Sequence, residues 1–170
     1  IDVINPASGY LACGDIGEGK MPEPEVLLSY ILRELAHEKD MKGLKVCVTA
    51  GPTRETIDPV RFISNRSTGK MGFALAKNAM ERGADVTLVS GPVELKDVPF
   101  VKMVHVESAR QMFEAVTKEA ETADIIVKAA AVADYRPAVV ADEKIKKKDG
   151  DMSIALERTD DIIGTLGKTK

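Results

Sequence analysis

The stretch "LKVCVTAG" (44–51) decides the fold, because it is a mostly apolar run with β-branched residues that ends in glycine. Such a run is typical of a strand buried on both faces of a parallel sheet. Similar runs recur three times downstream, in "ADVTLVSGP" (84–92), "VKMVHV" (101–106) and "DIIVKAAA" (124–131). The sequence therefore predicts four strands of one sheet.

Helical segments separate these strands. Apolar residues between 71 and 80 share one side of a helix, and Gly83 ends it. A second helix follows the capping box that Ser108 and Gln111 form. Strands that alternate with helices indicate a sheet with right-handed crossovers. We therefore predict the α/β class with a mainly parallel sheet.

The N-terminal part has a different character. Residues 1–23 are rich in Gly, Pro and Asp and show no sustained periodicity, so we predict an irregular ordered loop or the edge of another domain. An apolar stripe at 27–35 predicts a helix, which Pro24 opens. A polar connector then divides the chain into a tail with a linker helix (1–39) and a main domain (40–170).

Composition argues against several classes of function. Lys and Arg total 24 against 27 Asp and Glu, a net charge of −3, which favours neither a nucleic-acid nor a membrane surface. No apolar run approaches membrane-spanning length, and no signal-peptide pattern is present.

Two cysteines without an evident partner, Cys13 and Cys47, suit a reducing cytoplasm. His37 and His105 lie in no metal-ligand spacing. We expect a cytoplasmic protein, and the initial Ile suggests a piece of a longer polypeptide.

The segment "SNRSTGKMG" (64–72) lies directly before a helix N-terminus, where free N–H groups and the helix dipole favour an anion. By this argument Ser67, Gly69 and Lys70 would handle phosphate. The segment is not a Walker phosphate loop, because Ser64 replaces the first glycine and Met71 stands where a hydroxyl is required. A helix-capping turn with a surface Lys and Arg is an equally good interpretation.

The segment "KAAAVADY" (128–135) ends the fourth strand. Its three alanines leave the main chain without side-chain cover, so a flat ligand could approach it. Asp134 would then accept hydrogen bonds from sugar hydroxyls or assist a metal. The alternative, which spacing alone favours, is tight helix–sheet packing with a solvent-exposed Asp.

A lysine strip follows in "DEKIKKKDGD" (142–151). If this segment is extended, Lys144, Lys146 and Lys148 lie on one side, where they would close over a polyphosphate. A solvated charge run beside a turn is the more common outcome of such a pattern. Cys13, in "ACGDIG", is a candidate reactive thiol, although a lone Cys is usually inert.

Taken together, the motifs resemble a known enzyme family. "VTAGPTRETIDPVRFISNRSTGKMG", "VKAAAVADYRP" and "EKIKKK", in this order, resemble bacterial phosphopantothenoylcysteine synthetase over about residues 40–170. That enzyme is usually the C-terminal half of a bifunctional decarboxylase/synthetase in coenzyme A biosynthesis. The N-terminal "ACGDIGEGKMPEP" resembles the last segment of its other half, the flavin-dependent phosphopantothenoylcysteine decarboxylase.

The resemblance implies a reaction. The synthetase uses CTP and Mg²⁺ to join 4′-phosphopantothenate to L-cysteine. The carboxylate attacks the α-phosphorus to give an acyl-cytidylate and pyrophosphate, and the cysteine amine then forms the amide and releases CMP. The resemblance also implies a Rossmann-like three-layer fold, a homodimer through the synthetase domain, and FMN for the decarboxylase.

The resemblance assigns roles to residues as well. Asn65 of "ISNRS" corresponds to the catalytic Asn of the family, and Cys13 to the proton-donating Cys of the decarboxylase. A neutral amide suits turnover of the acyl-cytidylate, because it donates to a developing oxyanion without a proton transfer. The contacts to CTP would come from Lys128, Ala129, Ala130, Asp134, Lys144, Asp160, Asp161, Ile162 and Ile163. No metal ligands are assigned.

The sequence departs from the family in three respects. Thr159 precedes Asp160 where the family often has Asn-Pro, the family continues beyond the position of Lys170, and the flavin-binding body of the decarboxylase is absent. We expect this chain to fold and bind nucleotide but to turn over poorly.

Two other classes of function are alternatives to the ligase. A nicotinamide-dependent Rossmann oxidoreductase needs a glycine-rich first turn and an acidic residue after the second strand, yet that strand ends "LVSGP". A non-catalytic assembly module, in which residues 1–38 dock on a partner domain, is compatible with catalysis.

Overall fold

The structure is a computed structural model that describes residues 3–147 and 149–169. Along the chain its elements are β1 (Ala7–Tyr10), β2 (Ile16–Lys20), α1 (Pro24–Leu35), β3 (Lys45–Ala50), β4 (Arg54–Thr56), β5 (Phe62–Ser64), α2 (Lys70–Glu81), β6 (Asp85–Ser90), β7 (Lys102–His105), α3 (Ala109–Ala120), β8 (Ile125–Lys128), β9 (Tyr135–Pro137), β10 (Leu156–Arg158) and α4 (Ile162–Thr169).

Four parallel strands form the central sheet, in the spatial order β7-β6-β3-β8. β3 pairs with β6 from Lys45 opposite Asp85 to Ala50 opposite Ser90, and with β8 on its other side. The order reverses at β3, because the chain moves outward through β6 and β7 and then crosses back to β8. The predicted α/β fold with a mainly parallel sheet is confirmed.

The two faces of β3 pack against different helices, as the two-residue period of a strand requires. Val46 and Val48 lie in one core together with Phe73 of α2. Cys47 lies in a second core together with Met112 of α3. The two helices therefore cover opposite faces of the sheet, and the fold has three layers.

The helices begin and end close to the predicted positions. The Ser108 side chain accepts from Gln111 N, and the Gln111 side chain accepts from Ser108 N, so the predicted capping box opens α3. Gly72 lets α2 lie close to β3, because a Cβ there would come within 2.5 Å of Ala50 Cβ and 2.7 Å of Thr49 O. None of the helices in the described part of the chain is long and apolar enough to cross a membrane.

Three antiparallel two-stranded sheets were not expected from the sequence: β1–β2, β4–β5 and β9–β10. The first of them, at residues 7–20, shows that the irregular loop predicted there is wrong, whereas the alternative of a domain edge stays a prediction. Its strands escape recognition because Gly17 and Gly19 interrupt β2. All three residues of β10 are exposed, so β10 has no alternating pattern either.

Helix α1 lies on the outside of the sheet domain, and none of its residues, all of which are described, is buried. Tyr30 packs edge-on against Phe100, with ring centroids 4.6 Å apart. The Lys39 ammonium donates to the carbonyl oxygens of Arg33 and Glu81, each at 2.5 Å, and so links the carboxyl ends of α1 and α2.

Candidate functional site

The candidate site lies at the carboxyl ends of β3 and β8. Ligands of open α/β sheets bind beyond the carboxyl ends of the strands, at the point where the strand order reverses. A larger cleft of about 680 Å³ lies beyond β6 and β7 and includes His105, Glu107 and Lys118 in its lining. That cleft lies away from the reversal, so we centre the site on the β3 and β8 loops.

These two loops are joined to each other. Ala131 N donates to Gly51 O at 2.8 Å, and Thr53 N donates to Ala131 O at 3.4 Å. Pro52 and Ala131 form an isolated parallel bridge. The pairing of β3 with β8 thus continues, in irregular form, past the ends of both strands.

Two buried threonine hydroxyls shape the alanine-rich loop. Thr49 Oγ1 accepts from both Ala129 N and Ala130 N at 3.1 Å, and Thr53 Oγ1 accepts from Ala133 N at 3.0 Å. Both threonines are 0% exposed. β8 ends at Lys128 rather than at the predicted Ala131, because the main chain bends at Ala130 and Ala131 forms only an isolated bridge with Pro52. Sequence reasoning missed the two threonines, whose only signal is a hydroxyl within or just after an otherwise apolar strand.

Asn65 contacts the same loop. Its Nδ2 donates to Ala131 O and to Val132 O, each at 3.2 Å. The preceding Ser64 Oγ donates to Thr53 O at 2.8 Å, which fixes the end of β5 against the loop that follows β3. The two N–H groups of the Asn65 amide are thus engaged with main-chain carbonyls, and donation to a substrate requires one of these bonds to be exchanged.

A cleft of about 410 Å³ opens beside the loop. It is lined by Lys128, Val132, Ala133, Asp134, Tyr135, Arg158, Thr159, Asp160 and Asp161. Four residues that the resemblance assigns to CTP therefore meet here, although the chain separates them into two segments. Thr159 joins the segments, because its hydroxyl donates to Ala133 O at 2.6 Å and its N–H donates to Asp134 O at 3.0 Å.

The start of α4 closes this cleft. Asp161 Oδ1 accepts from Gly164 N at 3.0 Å, so this carboxylate also caps the helix. The Ile162 side chain is 2% exposed and packs in the core with Met112, whereas Ile163 is 53% exposed. Of these two predicted contact residues, only Ile163 therefore presents its side chain to the surface.

The predicted phosphate residues lie at the start of α2, on the other side of the joined loops. Gly69 has a φ of 75°, and a Cβ there would come within 2.9 Å of Val93 Cγ1 and 3.3 Å of Gly51 N. Ser67 Oγ accepts from Gly69 N at 3.4 Å, and Lys70 is exposed. Gly69 is thus required by its conformation and by close packing.

The lysine strip lies at the turn of the β4–β5 hairpin rather than in the cleft around Asp134. Lys144 and Lys146 are exposed and the intervening Ile145 is half-buried, as an extended segment would place them. A cleft of about 540 Å³ includes Arg61 and Lys146 in its lining. Lys148 lies outside the described residues.

The two cysteines occupy unlike environments. Cys13 is exposed in the turn between β1 and β2. Burial, with a smaller contribution from the Glu119 charge, raises the pKa of the Cys47 thiol to about 11. Cys47 is therefore a protonated core thiol at neutral pH.

Within residues 3–147 and 149–169, no group of three or more His, Cys, Asp or Glu side chains is placed to hold a metal ion.

Curated proteins of known name are similar to this chain in sequence. Coenzyme A biosynthesis bifunctional protein CoaBC of Haemophilus influenzae is 48% identical over 170 residues, which are 100% of this chain and 42% of the relative. The protein of the same name from Escherichia coli K12 is 49% identical over 171 residues, covering 99% of this chain and 42% of the relative. The chain thus spans less than half the length of either relative.

Solved structures share the fold. The crystal structure of the C-terminal domain of CoaBC matches with a TM-score of 0.67 and 49% identity, over 76% of this chain and 61% of that one. A DNA/pantothenate metabolism flavoprotein from Streptococcus pneumoniae has a TM-score of 0.65 at 22% identity, over 74% of this chain and 65% of that one, and shows the fold alone. The family model for the DNA/pantothenate metabolism flavoprotein C-terminal domain matches residues 41–170, and the chain therefore belongs to this family.

Proposed function

We propose that the chain supplies the ligase step of coenzyme A biosynthesis, the CTP-dependent joining of 4′-phosphopantothenate and L-cysteine. The relatives named CoaBC support the pathway. One observation carries the assignment of the site: Asn65 is hydrogen-bonded to the loop that leads into the cleft of Asp134 and Asp160. The proposed catalytic amide and the proposed nucleotide cleft are thus parts of one hydrogen-bonded unit.

The alanine-rich loop would hold the nucleoside. The alanines at 129–131 carry no side chain beyond Cβ, which suits the approach of a flat base, and Asp134 suits the ribose hydroxyls. The triphosphate would extend towards Lys144 and the start of α2, where cations and free N–H groups favour an anion. In the first step a carboxylate oxygen of 4′-phosphopantothenate bonds to the α-phosphorus, and the bond to the leaving pyrophosphate breaks.

Asn65 would act in the second step. The cysteine amine adds to the acyl carbon, the carbonyl oxygen gains negative charge, and the bond to CMP then breaks as the amine loses its proton. By exchanging its bond to Ala131 O or Val132 O, the Asn65 amide would donate to that oxygen. A donor placed in this way is worth about 10²–10³ in rate.

Mg²⁺ would enter with the nucleotide. The ion usually takes one or two protein carboxylates and completes its shell with phosphate oxygens and water. Asp134 and Asp160, which line the cleft, fit that limited role. When bound, Mg²⁺ would offset the negative charge of the departing pyrophosphate.

Other parts of the proposal concern the whole protein. The relatives are bifunctional, and we propose that FMN serves their second activity, phosphopantothenoylcysteine decarboxylation, with Cys13 as its proton donor. We further propose a cytoplasmic protein that forms a homodimer through the synthetase domain.

The oxidoreductase alternative is not favoured. β6 ends at Ser90 and continues into Gly91, without the acidic residue that would bind a dinucleotide ribose. In addition, the crevice between the β3 and β8 loops is bridged by Ala131.

Nucleotide binding and turnover test the proposal together. Calorimetry should show CTP bound more tightly than ATP or NADPH, and Asp134→Ala should weaken CTP binding, whereas the exposed control Asp97→Ala should not. Asn65→Asp should keep CTP affinity and pyrophosphate release but slow amide formation by about 10²–10³, so that acyl-cytidylate accumulates in quenched samples. Loss of CTP binding in Asn65→Asp would contradict the role given to the amide, and preferential NADPH binding would contradict the ligase.

A further inference from the structure

The lysine segment, residues 142–147, is held by the turn between β4 and β5. Ile145 N donates to Asp58 Oδ2 at 3.1 Å, and Arg61 Nη2 donates to Ile145 O at 2.7 Å. The hairpin turn therefore binds both polar main-chain groups of one residue. Two such bonds fix the direction of the main chain as well as its position.

Asp58 and Arg61 are themselves locked in place. Asp58 is 1% exposed, and its Oδ1 accepts from Val60 N at 2.9 Å and from Arg61 N at 2.8 Å. Its Oδ2 accepts from Arg61 Nε at 3.0 Å and from Arg61 Nη2 at 2.5 Å. Both guanidinium donors thus bind one carboxylate oxygen, and charge-assisted bonds of this kind are shorter and stronger than those between neutral groups. The turn thus presents a rigid receptor to Ile145.

The same hairpin also leads to the proposed catalytic amide. β5 begins one residue after Arg61 and ends at Ser64, immediately before Asn65. Ile145 is flanked by Lys144 and Lys146, whose side chains are exposed. One short strand, β5, therefore connects the turn that binds Ile145 to Asn65.

We propose that Asp58 is a positioning residue, which sets the place of Lys144 relative to Asn65 through its bond to Ile145. The proposal rests on the proposed function, in which Lys144 contacts CTP. Asp58 itself touches no nucleotide. Asp58 orders the lysine segment before CTP binds, so that the free-energy cost of ordering it does not reduce the affinity for CTP.

Asp58→Asn tests the inference with little change of shape. The side chain keeps an oxygen for the turn, but it loses its charge and presents an N–H₂ group in place of one acceptor. The Ile145 amide should exchange with solvent faster, and CTP affinity should fall about three- to tenfold, as expected for a segment that must be ordered on binding. Asp40→Asn, which breaks a different Asp–Arg pair on the surface, is the matched control and should change neither quantity.

A double-mutant cycle with Lys144→Ala separates positioning from general stability. If Asp58 acts through Lys144, the double variant should bind CTP no more weakly than Lys144→Ala alone, whereas independent effects would add. Additive losses, or an unchanged Ile145 exchange rate in Asp58→Asn, would overturn the inference. If Lys144→Ala leaves CTP affinity intact, the role proposed for Lys144 fails. If Lys144→Ala weakens CTP binding but Asp58→Asn does not, the positioning role of Asp58 fails.

Discussion

At the scale of single residues, the site depends on hydroxyl and amide groups that the apolar pattern of the sequence conceals. Thr49 is the penultimate residue of a buried strand, yet its hydroxyl accepts from two main-chain N–H groups of the alanine-rich loop. Thr53 and Asn65 add three more bonds to that loop. An irregular main chain next to a core needs such partners, since unpaired buried polar groups are costly.

Thr49→Val should therefore destabilise the protein although it preserves the shape of the side chain. Two N–H groups would lose their acceptor, which costs about 1–3 kcal/mol for a buried group left unsatisfied. Urea unfolding measures the change, and CTP affinity should fall with it. Thr56→Val, at an exposed position of β4, should stay within about 0.5 kcal/mol of the parent. Equal stability of the two variants would contradict the role of the hydroxyl.

Asp58 should make stability depend on pH in acid. The Arg61 guanidinium, through its hydrogen bonds, holds the pKa of the Asp58 carboxyl far below its usual range, and burial opposes this only in part. A carboxyl whose pKa is lowered by folding stabilises the protein above its unfolded pKa of about 3.9, and this contribution is lost as the pH falls towards the folded pKa. The difference in urea midpoint between the parent and Asp58→Asn should therefore shrink below about pH 4. A difference that stays constant from neutral pH into acid would exclude this linkage.

At the scale of elements, the β4–β5 hairpin organises the site. Its turn holds the lysine segment and its end carries Asn65. Its first strand also anchors α3, because Arg54 N donates to Glu107 O at 2.8 Å and the buried Glu55 Oε1 accepts from Ala109 N at 2.8 Å. Glu55 thus satisfies a free N–H group at the start of α3 from outside the helix. Each strand has three residues, yet the hairpin contacts three separate parts of the chain.

Removal of this external cap should weaken α3. Glu55→Ala leaves Ala109 N without its acceptor and removes a negative group from the positive end of the helix dipole, which costs about 0.5–2 kcal/mol. Glu55→Gln, which keeps an acceptor oxygen, should cost less. Denaturant unfolding provides the measurement, with Glu114→Ala on the exposed face of α3 as the control. A smaller loss for Glu55→Ala than for the control would disprove the cap.

At the scale of the whole molecule, the sequence predicts the central sheet well and its attachments poorly. β3 and β6 are long buried strands, so their composition identifies them, and the capping box of Ser108 identifies the start of α3. The short outer strands bury little and carry no alternating pattern. Contacts such as Ile145 with Asp58, between residues 87 positions apart, depend on tertiary folding and leave no local signal. For the site, the motif resemblance named Asp134 and Asp160, but only the fold places them in one cleft.

The joining of the β3 and β8 loops at Ala131 also bears on selectivity. Gly51 accepts from Ala131 on one side and packs against Gly69 at the start of α2 on the other. The proposed binding surface for the base and the proposed anchor for the phosphates are therefore joined through one glycine. We expect this contact to set their separation before a nucleotide binds, and so to favour a triphosphate over its shorter products.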